Sequence, residues 1–97
     1  MTDSEFLELA GKTFDRLSGE LEELDPDLDI LEEGHILSIE SEEGVRLVLN
    51  IQEAMHQIWL AGPLGGFRYD ADEQGVWRKT RTQAVLKDDV LAALGVR

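Results

Sequence analysis

Apolar residues recur along the first quarter of the chain with helical spacing. Phe6, Ala10, Phe14, Leu17, Leu21 and Leu24 follow one another at intervals of three and four, which places them on one stripe of a helix. Thr2, Asp3 or Ser4 can cap its start, and the acids Asp3, Glu5 and Glu8 suit the positive end of the helix dipole. Pro26 forbids helical geometry at Asp25, so a first helix is predicted over about residues 4–23. The period then changes from 3.6 to two. Leu28, Ile30 and Leu31 outline a first strand ending near Glu33-Gly34. His35 to Ser41 alternates, with Leu37 and Ile39 on one face and Ser38 and Glu40 on the other. After the Glu43-Gly44 turn, Val45, Leu47, Leu49 and Ile51 share a face. Met55 to Ala61 and Phe67 to Asp70 form two more strands around a Gly-Pro and Gly-Gly link, and a short one follows near Val76 to Lys79. Val85, Leu86, Val90, Leu91 and Leu94 return to helical spacing, with Thr80 or Thr82 as cap and Gly95 as stop.

This order, a helix, five or six strands with short connections, then a helix, predicts an α+β fold. Short turns favour an antiparallel meander, and two amphipathic helices need one face of that sheet. The expected architecture is a two-layer sandwich in a single domain spanning residues 1–97, with the second sheet face open to solvent. Strand parity puts Asn50, Gln52, Gln57, Trp59 and Arg68 opposite Ile51, Ile58, Leu60, Phe67 and Tyr69. A core needs only the second set. A tryptophan among side-chain amides on the wet side marks a surface suited to contact with another protein.

Charge sharpens this picture. The net charge is -12, and it is unevenly placed: residues 1–33 hold twelve acids against Lys12 and Arg16, whereas residues 34–97 hold nine acids against seven bases. Such a field repels phosphate backbones and anionic lipid, so neither nucleic acid nor a membrane is an expected partner, while cations and basic protein surfaces are attracted. The chain has no cysteine, which removes thiolate catalysis, disulfides and Cys-ligated metal. There is neither a long apolar run nor a secretory leader pattern, and the expected compartment is the cytoplasm.

Helix 1 and the segment after it form a ridge of Asp3, Glu8, Asp15, Glu22, Glu23, Asp25, Asp27, Asp29, Glu32 and Glu33. Carboxylates are hard oxygen donors, suited to iron, manganese, calcium and magnesium ions. The Asp25, Asp27, Asp29 spacing is not an EF-hand, because its sixth position is Ile30 and its twelfth Ile36. On composition alone, a solvated helix face is a better reading of the ridge than a metal site. His35 and His56 stand singly, without a second ligand at helical spacing, and read as structural or exposed. No nucleophile–base set, phosphate loop or dinucleotide fingerprint occurs.

The stretch Asn50, Gln52, Gln57, Ile58, Trp59, Leu60 and Ala61, then Gly62, Pro63, Gly65, Gly66, Arg68, Tyr69 and Asp70, resembles the frataxin family in its bacterial, CyaY-type branch. Ser4-Glu5-Phe6, Leu9-Ala10 and Asp25-x-Asp27-x-Asp29 extend the resemblance over nearly the whole chain. It implies an iron-binding accessory protein of iron–sulfur cluster assembly that donates or senses iron and docks on a cysteine desulfurase and its scaffold. It further implies weakly held Fe²⁺ or Fe³⁺ at Asp3, Glu8, Asp15, Glu22, Glu23, Asp25, Asp27, Asp29 and Glu33. Asn50, Gln52, Gln57, Trp59 and Arg68 become the protein-binding face. The expected state is a monomer, with metal-induced oligomers left open. A metal-independent acidic interaction module and a weak ferroxidase are the competing expectations. Departures from the family pattern are Ala54 in place of a proline, Leu7 in place of a histidine found in some relatives, and Ser18-Gly19 where acids are common. The short stretch after Gly95 implies lower stability by the same resemblance.

Overall fold

A computed structural model describes residues 1–95. Helix α1 spans Asp3–Leu24. Strands β1 Asp29–Glu33, β2 Ile36–Glu40, β3 Arg46–Gln52, β4 Gln57–Gly62, β5 Gly65–Ala71 and β6 Trp77–Lys79 follow, and α2 Leu86–Leu94 closes the order. The strands form one antiparallel sheet in strict chain order, β1 to β6. Both helices cover the same face, so the predicted two-layer α+β sandwich with one open sheet face is the observed fold.

The core is the set of positions that alternation and helical spacing select. Phe6, Ala10, Phe14, Leu17 and Leu21 of α1 are buried against Leu37, Ile39, Leu47, Leu49, Ile51, Ile58, Leu60 and Tyr69 of the sheet. Leu86, Val90 and Leu94 of α2 complete it. Trp77 is also core: its ring meets Phe6 edge to face at 5.9 Å, and its Nε1 donates to Thr13 Oγ1 at 2.8 Å. Thr2 caps α1 in a reciprocal box, in which Glu5 N–H donates to its hydroxyl and Thr2 N–H donates to the Glu5 carboxylate. These bonds hold the Glu5 carboxyl below its ordinary range.

Several expected boundaries shift for local reasons. Leu24 ends the α1 stripe in sequence but is exposed at the last helical residue. Leu28 is buried in the connection before β1, and Leu31 lies on the open face rather than in the core. Strand β4 begins at Gln57 instead of Met55, because His56 adopts a left-handed φ of 51° and ends the preceding turn. Neither Thr80 nor Thr82 caps α2. Val85 is the cap residue, held extended by an isolated bridge to Arg78, and it offers no side-chain acceptor. Gly95 ends α2 at a left-handed φ of 74°, as expected of a helix stop. The segment after Gly95 singled out in the sequence lies outside the described residues.

Beneath α2, Tyr69 donates its hydroxyl to Asp89 Oδ2 at 2.6 Å, and Lys79 Nζ approaches the same carboxylate oxygen at 3.3 Å. Burial, followed by the hydrogen bond and charge of Asp89, pushes the Tyr69 phenol well above its ordinary range. This part-buried staple ties β5, β6 and α2 together.

Candidate metal ridge and docking face

The open face is organised in rows that the strand register defines. Ile36, Asn50, Trp59 and Arg68 stand directly opposite one another across β2, β3, β4 and β5. Gln52, Gln57 and Asp70 make the neighbouring row. Arg68 lies over the indole of Trp59, its guanidinium carbon 4.7 Å from the ring centroid. Trp59 Nε1 donates to Gln57 Oε1 at 2.9 Å, and Gln57 Nε2 donates to Asp70 Oδ1 at 3.2 Å. The tryptophan is therefore fixed in one orientation, half-buried, with one ring face stacked by arginine.

Parity placed Gln57 on this wet face as a contact residue. It does point that way, but only 9% of it is exposed. It acts as a platform for Trp59, so the accessible patch consists of Asn50, Gln52, Trp59 and Arg68. Sequence reading also missed apolar members of the face. Leu31 and Ile36 are 57% and 45% exposed on the same side as Trp59. Ile36 is in register with Asn50, and strict alternation through Leu37 and Ile39 is the signal that would have found it. A depression of about 390 Å³ lined by Val48, Asn50, Trp59, Ala61 and Arg68 sits at the centre of the face.

The acids divide between two surfaces. In β1, Ile30 pairs with inward-facing Ile39, so Glu32 shares the helix side while Asp29, Leu31 and Glu33 share the open sheet face. Asp15 on α1 lies beside Glu32. Desolvation first, then the charge of Asp15 and a hydrogen bond to it, raises the Glu32 carboxyl above its ordinary range. Asp3 pairs with His56 Nε2 at 2.7 Å, and Glu8 pairs with Lys12 at 3.0 Å. Asp25 accepts from the Asp27 N–H at 3.0 Å in the turn after α1. Glu22, Glu23 and Asp27 are exposed and make no ion pair among the described residues. Ser18 does not extend the acidic run outward, since its hydroxyl is buried and has no hydrogen-bond partner among the described residues.

Among the described residues no three carboxylate or imidazole groups come together as a preformed cation site. The ridge is instead a line of separate oxygen donors, with Asp15 and Glu32 near each other across two elements. Because Glu32 binds a proton more readily in the fold than in the unfolded chain, the pair opposes folding above its raised range, and that cost fades as pH falls. Glu32→Gln is expected to raise stability by about 0.5 kcal/mol near neutral pH, solvent screening keeping the effect small. Urea unfolding at about pH 7 and about pH 4 checks the sign, with the gain confined to the higher pH.

The chain is a small acidic sandwich with one helix-covered face, one open aromatic–amide face and a line of carboxylates. No described helix is long and apolar enough to cross a membrane. The profile of the Frataxin-like domain family matches residues 1–95, and the chain belongs to that family. It is 35% identical to the iron-sulfur cluster assembly protein CyaY of Bordetella pertussis over 92 residues, covering 91% of this chain and 84% of that one. The CyaY protein of Psychromonas ingrahamii is likewise 35% identical, over 82 residues that cover 84% of this chain and 77% of the relative. The solved frataxin from P. ingrahamii superposes with a TM-score of 0.88 at 33% identity, covering 96% of this chain and 88% of that one. Trimeric yeast frataxin complexed with ferrous iron gives 0.69 at 32% identity, covering 90% and 86%.

Proposed function

We propose that this protein is an iron-handling accessory of iron–sulfur cluster assembly, working in the cytoplasm without being an enzyme in the ordinary sense. The observation that carries the reading is the ordered row Ile36, Asn50, Trp59 and Arg68 on the uncovered sheet face. Relatives at 35% identity bear the name of iron–sulfur cluster assembly proteins, and yeast frataxin has been solved with ferrous iron. The row offers a rigid aromatic anchor rimmed by amides and one cation, a composition suited to a scaffold protein. The ridge carries the opposite character. Its acids attract a basic desulfurase surface and bind Fe²⁺ as cargo, weakly, with water completing the coordination shell.

A pull-down with a desulfurase–scaffold complex, with and without iron and at two salt concentrations, tests this reading. Capture that weakens with salt and responds to iron is expected. The separation of carboxylates along the ridge favours one competing reading, a metal-independent acidic docking module. The two part in a titration: Fe²⁺ should broaden the amide signals of Asp15, Glu22 and Glu32 while leaving Trp59 unchanged. Uniform, unselective broadening would remove iron from the proposal and leave the docking module.

A further inference from the structure

A cavity of about 310 Å³ opens between α1 and α2 at the β6 side of the sandwich, away from both the ridge and the open sheet face. Its floor is apolar, made by Leu17, Val76, Trp77 and Leu86. The Trp77 ring is locked there by the bond from its Nε1 to Thr13 Oγ1 at 2.8 Å. Its rim is charged. Lys87 and Glu20 bond to each other across the opening, joining the two helices and cancelling their charges. Arg16 lines the same opening, is exposed, and makes no ion pair among the described residues.

The rim thus has an excess of one positive charge in a protein whose net charge is -12. An organic cation meets the unfavourable sign at this rim, and a purely apolar molecule leaves the guanidinium unused. A molecule with an apolar body and one carboxylate uses both floor and rim, because arginine presents a planar fork that matches a carboxylate. The volume corresponds to roughly ten water molecules, which sets the size of the occupant. We propose that this cavity binds a small amphipathic carboxylate, an aryl- or alkyl-carboxylic acid of about ten non-hydrogen atoms. Its apolar part rests on Trp77 and Leu86, and its carboxylate pairs with Arg16. The site stands independently of the iron and scaffold reading.

The test is an NMR titration of the full chain, ¹⁵N-labelled, with 4-phenylbutanoate, using the two indole N–H signals as reporters. Saturable shifts of the Trp77 signal with a Kd of about 0.1–1 mM are expected, with the Trp59 signal unmoved. The uncharged 4-phenylbutanamide should bind about tenfold more weakly. Arg16→Gln, an exposed change on a helix surface, should cause the same loss with the far-ultraviolet dichroism unchanged. Lys12→Gln alters the net charge equally one turn away and should leave the affinity within about twofold. Absence of a saturable Trp77 shift overturns the proposal. So does equal binding of acid and amide, an equal loss in Lys12→Gln, or a shift centred on Trp59.

Discussion

Phe6→Ala is expected to destabilise the protein by about 3–5 kcal/mol, the range for emptying a fully buried aromatic site. Phe6 has no exposed surface, stacks on the His56 ring at a centroid distance of 4.7 Å, and meets Trp77 edge to face. It therefore joins the first turns of α1 to the β3–β4 turn and to β6, and both aromatic contacts fail together. A domain of this size has only about 5–15 kcal/mol in total, so most of the margin is at stake. The melting temperature should fall by about 15–30 °C in calorimetry. Phe6→Leu, which keeps much of the volume but not the stacking, should lose clearly less. A fall below about 5 °C for the alanine variant would mean that the site collapses around the gap.

Trp59→Ala is expected to act on the other face and in the other currency. Loss of a central aromatic anchor costs about 2–4 kcal/mol of binding, so affinity for the proposed scaffold partner should fall by roughly 30- to 1,000-fold in calorimetric titration. Stability should change by no more than about 1–2 kcal/mol, since Trp59 is only half-buried and its indole bonds a single side chain. Trp59→Phe keeps a ring for Arg68 to cover and loses the donor to Gln57, so it should retain much of the affinity. Unchanged scaffold binding by a folded alanine variant would place docking elsewhere.

Element order and core were readable because two periodicities, 3.6 and two, divide this chain cleanly. Every α1 core residue, and every inward residue of β2, β3 and β4, follows from spacing, which adds only Leu24, exposed at the end of α1. What spacing does not carry is register. The stack of Arg68 on Trp59 needs β4 and β5 paired in one alignment, and the Asp15–Glu32 contact needs β1 beside α1 with Glu32 on the helix side. The amide character of the open face was legible, while spacing placed neither Leu31 nor Ile36 on it. Local strain hid the rest. A left-handed His56 moved the start of β4, and the Arg78–Val85 bridge took the α2 cap away from the threonines. Residue type weakly encodes either event, because each is imposed by chain segments packed from elsewhere.

The sheet runs in strict chain order, so every strand pair is closed by a short connection. The helix layer has the opposite property. Trp77 of β6 reaches up to Thr13 of α1 across 64 positions of sequence, and Lys87 of α2 reaches Glu20 of α1 across 67. Hairpins can assemble one after another at low entropic cost, whereas joining the two helices closes a loop of 67 positions in a chain of 97 residues. The seam between α1 and α2 is thus the natural place for the molecule to part first, with the meander still intact. A side chain added to that seam tunes how long the folded state lasts more than how quickly it forms.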